Sequence, residues 1–378
     1  MELLASEKRA VGKGDRFGVS HLRVENFRNH VETRIELDPG FNLLYGQNAA
    51  GKTSILEAMH LLSTSKLLRG NRDAEAIYHG QDRAVVDAEL IGAGTTLGVV
   101  LTAGTRKKAL LNSMNLPRAA DLIGRLPCVC FSSADIPIVA DQPADRRMFL
   151  DMELSQLYPD YIRSLTIYKR AVEQRNALLK AAQERPQPDA VFEAWETEIA
   201  LHGARMREHR REFVADLGPR AAEHQSDLGS GEALQLELQP SDPSQSADEL
   251  LAVLTRGRGA EIARGSTLAG PHRDELLISI NAREARTYGS QGQQRTAVIA
   301  IKLAVLDLAT ARHRATPLLL LDDIFSDLDK KRRQKLIETV LAAQGQVVLT
   351  CTDREQAGEE ITHRARHFHL AGGTVIPE

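Results

Sequence analysis

An excess of charge of either sign is the first thing missing from this 378-residue sequence: 48 basic residues stand against 51 acidic, for a formal charge of -3. So balanced a chain carries no overall polyanion-binding signature, and composition alone makes no case for nucleic acid. Cysteine is scarce. Cys128, Cys130 and Cys351 include no C-x-x-C pair, which excludes a disulfide framework or a zinc ribbon and points to a reducing compartment. No apolar run approaches the roughly 18 residues of a membrane span; the densest covers 318–321. The opening MELLASEKRAVGKGDRFG is too charged for a secretory core. The expectation is a soluble, cytoplasmic protein without a membrane partner. What remains is ordinary for a globular chain, 42% hydrophobic and 26% charged, with length for two or three domains of roughly 150 residues each.

Residues 1–16 show no periodicity and read as a disordered extension. From Val19, VSHLRVENF, VETRIEL and FNLLY read as short strands with turn signals between them. Ile55, Leu56, Met59 and Leu62 have helical spacing. AVVDAELIG, TTLGVVLTA and KKALLN alternate like an antiparallel meander, and LPCVCF reads as a buried strand whose two thiols point the same way. The texture turns helical over 143–182, with a kink expected at Pro159, and again over 190–224 after the breaker RPQPD. Two helices about a Pro turn make a hairpin arm, each limb reaching about 40 to 60 Å at 1.5 Å per residue. Polar sequence loosens the chain over 229–246. LLISI, a helix from Gln291, PLLLLDD, a helix from Lys330, QVVLT and HFHL then restore α/β texture. The expected organisation is an α/β head at 17–140 and 265–378, split by a helical arm at 141–264.

Gly46-Gln47-Asn48-Ala49-Ala50-Gly51-Lys52-Thr53 fits G-x-x-x-x-G-K-[ST] in full, between a strand and a helix. Such a loop wraps phosphates with backbone N–H groups and the helix dipole. Lys52 then reaches the β- and γ-phosphates and the Thr53 hydroxyl ligates Mg²⁺. Leu318 opens an apolar strand that ends in Asp322 and Asp323, read as the metal carboxylate and the general base.

Ser290-Gln291-Gly292-Gln293 opens the helix that precedes this strand, and Ser326-Asp327-Leu328-Asp329 comes straight after Asp323-Ile324-Phe325. That order resembles the ATP-binding-cassette class and, within it, the SMC-like heads. LRVENFRNH, DRRMFLD (145–151), YKRAVEQRNALL, GSTLAGPHRDEL (265–276), SQGQQRT and LLLLDDIFSDLD are together similar to the RecF family of bacterial recombination-mediator ATPases. The resemblance implies an ABC/SMC-head-like P-loop ATPase domain with an inserted helical hairpin. It also implies Mg-ATP, weak DNA-stimulated hydrolysis, an ATP-dependent homodimer, binding to DNA, and partners of the RecO/RecR type that help load recombinase at gaps. Carried over by position, 46–53 hold the nucleotide, and Ser290 and Gly292 contact the γ-phosphate held by the partner protomer. Arg28 approaches the nucleotide or is a surface arginine.

Where cassette ATPases have a His after the next strand this sequence has VVLTCTD, leaving Thr350 or Thr352 as the γ-phosphate sensor. Ala134 stands where the family commonly has Glu, which puts a Q-loop role for Asp135 in doubt. His272 and Arg273 match a hallmark, with a structural role in seating the arm as one reading. Arg163, Lys169, Arg170, Arg175 and Lys180 alternate with acids and read mostly as surface charges. The rival functions are a soluble ABC-type ATPase subunit and an SMC-like scaffold; the first needs no such large insertion, the second a far longer coiled coil.

Overall fold

A computed structural model describes residues 17–70, 72–92, 94–229, 231–325 and 328–377. The expected extension at 1–16 falls outside them, as do Ser326 and Asp327 of the S-x-L-D element. Packing divides the chain into two compact units: one takes the segments up to Asp135 and from Lys302 onward, the other Ile136–Ile301.

The chain first lays down β1 (Val19–Phe27), β2 (His30–Glu36), β3 (Phe41–Tyr45) and α1 (Lys52–Thr64). β4 (Arg83–Leu90), β5 (Thr96–Thr102), β6 (Lys108–Leu111), β7 (Met114–Asn115) and β8 (Cys128–Phe131) follow. The second unit begins with α2 (Pro137–Ala140), α3 (Pro143–Leu157), α4 (Pro159–Glu184) and α5 (Asp189–Asp227). It continues through β9 (Leu234–Gln239), α6 (Ala247–Arg264), β10 (Glu275–Ile280), β11 (Arg283–Glu284) and α7 (Ala285–Tyr288). α8 (Gln291–His313) carries the chain back, and β12 (Leu318–Asp322), α9 (Lys330–Ala342), β13 (Val347–Cys351), α10 (Glu359–Arg364), β14 (Arg366–Ala371) and β15 (Thr374–Pro377) complete the first unit.

The first unit has two six-stranded sheets. One is antiparallel, in the order β2-β1-β4-β5-β6-β7; the other runs β15-β14-β3-β13-β12-β8 and is parallel except for β15. A single apolar cluster joins residues of both sheets to α1. The one-face spacing read from Ile55 to Leu62 therefore understates the burial: every residue of α1 except Thr53 is buried. The leucines of β12 are fully enclosed, each stabilising by about 1.5–3 kcal/mol relative to an exposed side chain. That rigid strand carries Asp322 at its end.

The second unit holds the helical arm and departs from a plain hairpin. Residue 158 precedes a proline and takes extended backbone, which disfavours helix there, so the expected kink at Pro159 is a break between α3 and α4. α5, at 39 residues, spans about 58 Å at 1.5 Å per residue. The stretch expected to be loose contains β9, where Leu234, Leu236 and Leu238 pair with Ile280, Ile278 and Leu276 of β10. The flanking prolines and serines mask that alternation. Because β10 pairs with β9 along its length, 265–301 pack with the second unit rather than with the head that the sequence reading assigned them to.

Arg175 corrects another reading. It is fully buried, with Glu196 of α5 at 2.8 Å and Glu261 of α6 at 2.6 Å. Interleaved charges look like surface charges only while α6 is unknown. Lys169, more than half exposed, pairs with Asp151 at 3.0 Å. Two of the hallmark stretches also lock together. Arg146 forks onto Glu275 at 2.7 and 3.0 Å, and Arg210 bridges Asp151 at 2.9 Å to the Pro271 carbonyl at 2.7 Å. His272 sits between Tyr168, whose hydroxyl donates to Nδ1 at 2.6 Å, and the Thr267 carbonyl, which accepts from Nε2 at 3.1 Å. That pattern needs the neutral ring, and burial pushes its pKa down to about 4. Arg273 shares the Thr267 carbonyl at 3.3 Å. Both residues thus fix the 267–274 loop within the second unit.

Candidate active site

Three neighbouring parallel strands bring the chemistry together at their carboxyl ends, where open α/β sheets form ligand crevices. β13 lies between β3 and β12, with Leu44, Thr350 and Asp322 level across the three. The phosphate-type loop leaves β3, Asp322 closes β12 with Asp323 just beyond it, and Thr350 sits one residue from the end of β13.

The loop is held in shape by glycines and by a buttress. Gly46 and Gly51 have φ of +146° and +107°; a Cβ would lie 2.3 Å from the Leu370 carbonyl oxygen at Gly46 and 2.5 Å from His30 Nε2 at Gly51. Fully buried His30 sets Nε2 3.1 Å from the Gly51 carbonyl and Nδ1 2.9 Å from both Thr33 Oγ1 and the Gly373 carbonyl. Burial holds its pKa below the usual histidine range. Asn29 Nδ2 donates to the Ala49 carbonyl at 3.3 Å and the Gly373 N–H to the Ala50 carbonyl at 3.2 Å. The β1–β2 turn and the β14–β15 turn thus support the loop. NFRNH was visible in the sequence, but its support of the loop was not, because that requires the two sheets to meet there.

Gln47, Asn48 and Ala49 are exposed, whereas Gly46, Ala50, Gly51 and Lys52 are buried. Lys52 Nζ donates to the Gly46 and Gln47 carbonyls at 2.6 and 2.9 Å. Burial draws its ammonium down from the ordinary lysine range, opposed by the charges of Asp323, Cys351 and Asp322. Thr53 Oγ1 donates to Asp322 Oδ1 at 2.8 Å and Thr350 Oγ1 to the same oxygen at 2.9 Å. The Asp323 N–H donates to Thr350 Oγ1 at 3.0 Å, and Asp323 takes φ of +51°, a left-handed conformation that aspartate tolerates. Lys52, Thr53, Asp322 and Asp323 are therefore brought together as the sequence suggested.

Arg28 is differently placed. Its Nε and Nη2 fork onto buried Glu57 at 2.8 and 2.6 Å, Nη2 also donates to the Arg69 carbonyl at 2.6 Å, and Nη1 to the Glu75 carbonyl at 2.8 Å. It binds α1 to the neighbouring loop. Asp135 accepts from the Ser132 N–H at 2.8 Å and lies 3.8 Å from Lys302, a local structural pairing. Thr350, read as a phosphate sensor, is instead an enclosed bracket for the two aspartates, and Thr352 accepts from Gln356 at 2.9 Å.

Within the second unit, Ser290 and Gln293 cap α8 reciprocally: the Gln293 N–H donates to Ser290 Oγ at 3.3 Å, and the Ser290 N–H to Gln293 Oε1 at 2.8 Å. Gly292 is exposed, and a Cβ there would meet nothing within 4 Å. The fold of this chain does not itself demand glycine at that position.

Removing the Thr350 hydroxyl tests the bracket. Thr350→Val keeps the strand and the shape, but leaves the Asp323 N–H and Asp322 Oδ1 one bond short each. A loss of about 1–3 kcal/mol is expected in urea unfolding, with ATP turnover down about tenfold or more. Thr350→Ser should restore both; an unchanged turnover in Thr350→Val would remove the bracket from the chemistry.

The family model described as RecF/RecN/SMC N terminal domain matches residues 18–369. DNA replication and repair protein RecF of Symbiobacterium thermophilum is 37% identical over 373 residues, covering 95% of this chain and 98% of that protein. Its counterpart in Agathobacter rectalis is 35% identical over 361 residues, covering 94% and 98%. A solved structure described as the recombination mediator protein RecF–ATP in the RecFOR pathway is similar with a TM-score of 0.88, at 27% identity over 96% of this chain and 98% of that one. The Smc head domain of Pyrococcus furiosus, at 13% identity, 95% and 96% coverage and a TM-score of 0.55, shares the fold. Matched along nearly its whole length, with an α/β head of the SMC type and a helical insertion, the chain belongs to the RecF family of DNA replication and repair proteins.

Proposed function

We propose that this protein is an ATP-gated DNA clamp of recombinational repair, in which two heads close on ATP, grip DNA and reopen after slow hydrolysis. The observation that carries the reading is the chain of contacts Thr53–Asp322–Thr350–Asp323 beside Lys52. In such a site the loop 46–53 takes the phosphates on its N–H groups, and Lys52 exchanges two carbonyls for phosphate oxygens. The residues suit Mg²⁺, which takes oxygen ligands and keeps several waters: a hydroxyl and a carboxylate already face each other at 2.8 Å. When bound, the cation neutralises phosphate charge as the γ-phosphoryl group leaves. Thr53, its proton committed to Asp322, would hold the cation through its hydroxyl oxygen, with Asp322 beside it. Asp323 orients the attacking water and takes its proton; one methylene shorter than glutamate, it suits slow, switch-like turnover.

Ser290 accepts in the α8 cap and so retains a hydroxyl proton to donate to a γ-phosphate on the partner protomer's loop. The open space at Gly292 is what close approach by a second molecule needs. Those features support an ATP-dependent homodimer with two shared sites. The likeness to a RecF structure described as a recombination mediator in the RecFOR pathway supports DNA and mediator proteins of the RecO/RecR type as partners; the reading adds assistance to recombinase loading at gaps and DNA-stimulated hydrolysis. Among the described residues no helix is long and apolar enough to cross a membrane, and the reading places the protein in the cytoplasm.

Sedimentation of the wild type and Asp323→Asn with ATP and a duplex DNA fragment tests the clamp. The wild type should dimerise transiently and bind DNA more tightly with ATP than without. Asp323→Asn should bind ATP yet accumulate dimers on DNA, with single-turnover hydrolysis slowed by about 10²-fold or more. Equal DNA affinity with and without nucleotide would overturn the clamp, and wild-type hydrolysis in Asp323→Asn would overturn the base.

A further inference from the structure

The amide of Gln293 has one satisfied orientation. Its Oε1 accepts from the Ser290 N–H at 2.8 Å, and its Nε2 donates to Glu232 Oε1 at 2.6 Å. Rotated by half a turn, it would set a donor against the Ser290 N–H and an oxygen against a carboxylate. A charged acceptor at so short a distance makes the second contact the stronger one. The other Glu232 oxygen, Oε2, accepts from Gln225 Nε2 at 3.4 Å, and Gln225 lies buried in the last turn of α5. Half-buried Glu232 therefore bridges the end of the 39-residue arm helix to the cap that presents Ser290. All of these groups lie in the second unit.

We propose that Glu232 is a positioning residue for the signature: it locks the Gln293 amide so that Ser290 is held in register at the start of α8, and it ties that geometry to the end of α5. Glu232 touches neither nucleotide nor reacting water and acts through Gln293 on the site of the opposite protomer. The proposal rests on the shared-site reading above.

Glu232→Ala frees Gln293 to rotate, and the turnover of ATP at saturation should fall about tenfold. Binding of a fluorescent ATP analogue to the monomer should stay within about twofold of wild type, because the loop of the same chain is untouched. Glu232→Gln, which keeps an accepting oxygen, should recover part of the loss. Mixing then separates positioning from misfolding. Glu232→Ala has an intact loop, so heterodimers with Lys52→Ala hold one site of intact loop and intact signature, and turnover should rise. Heterodimers with Ser290→Arg hold no such site and should stay low. Wild-type turnover by Glu232→Ala overturns the proposal. So does recovery with Ser290→Arg, or failure to recover with Lys52→Ala while the reference pair Lys52→Ala plus Ser290→Arg recovers. Failure of that reference pair overturns the shared-site reading, and the proposal with it.

Discussion

Lys52→Ala is expected to abolish ATP turnover and ATP-dependent dimerisation while the protein stays folded. Lys52 is buried, which at first sight argues for a structural role, but among the described residues its Nζ bonds to carbonyls of the loop it belongs to, Gly46 and Gln47. Two such bonds from a charged donor contribute about 1.5–3 kcal/mol each, small against the apolar cluster that encloses α1. Lys52→Met keeps the aliphatic stem and removes only the charge, so its melting temperature should lie closer to wild type than that of Lys52→Ala. Both variants lose the ammonium that the reading sets on the phosphates, and turnover should fall by about 10²-fold or more. Circular dichroism melting and ATPase assays on the same preparations decide it. A variant that unfolds makes Lys52 a core residue, and one that still dimerises with ATP removes the loop from nucleotide binding.

The parts of the site legible in the sequence are those that one continuous segment specifies. The loop 46–53 carries its own glycines and its own helix start, and Asp322 and Asp323 end a short apolar run that reads as a buried strand. What the sequence did not disclose depends on contacts between distant segments. Thr350 looked available to a phosphate because VVLTCTD says nothing of β12 beside it; once the strands are level, its hydroxyl belongs to Asp322. Arg28 reads as a nucleotide contact or a surface arginine until Glu57 is seen buried on the enclosed face of α1, where an unpaired carboxylate would be costly. Arg175 and β9 follow the same pattern: α6 and β10 complete them from 79 or more residues away or from across a sheet.

Whether the active site is shared between chains is open to a mixing experiment in which both components are inactive alone. Ser290 is exposed at the cap of α8, and Gly292 leaves open space beside it, so an arginine at 290 should block approach by a partner's phosphates without disturbing packing. A Lys52→Ala protomer then has a dead loop and a sound signature, and a Ser290→Arg protomer has the reverse. Homodimers of either contain two sites with one defect each. In the heterodimer both defects fall in one site, and the other pairs an intact loop with an intact signature. Equimolar mixing should therefore restore hydrolysis from near background toward half of the wild-type rate per heterodimer when the sites act independently. Coupling between the sites lowers that figure, so heterodimers are to be counted by crosslinking or sedimentation in the same samples. A site contained within one chain predicts a different result, since Lys52→Ala would then remain dead in every combination and Ser290→Arg would turn over ATP on its own. Mixtures that form ATP-dependent heterodimers yet stay at background would separate dimerisation from catalysis, and would place the γ-phosphate contact somewhere other than Ser290.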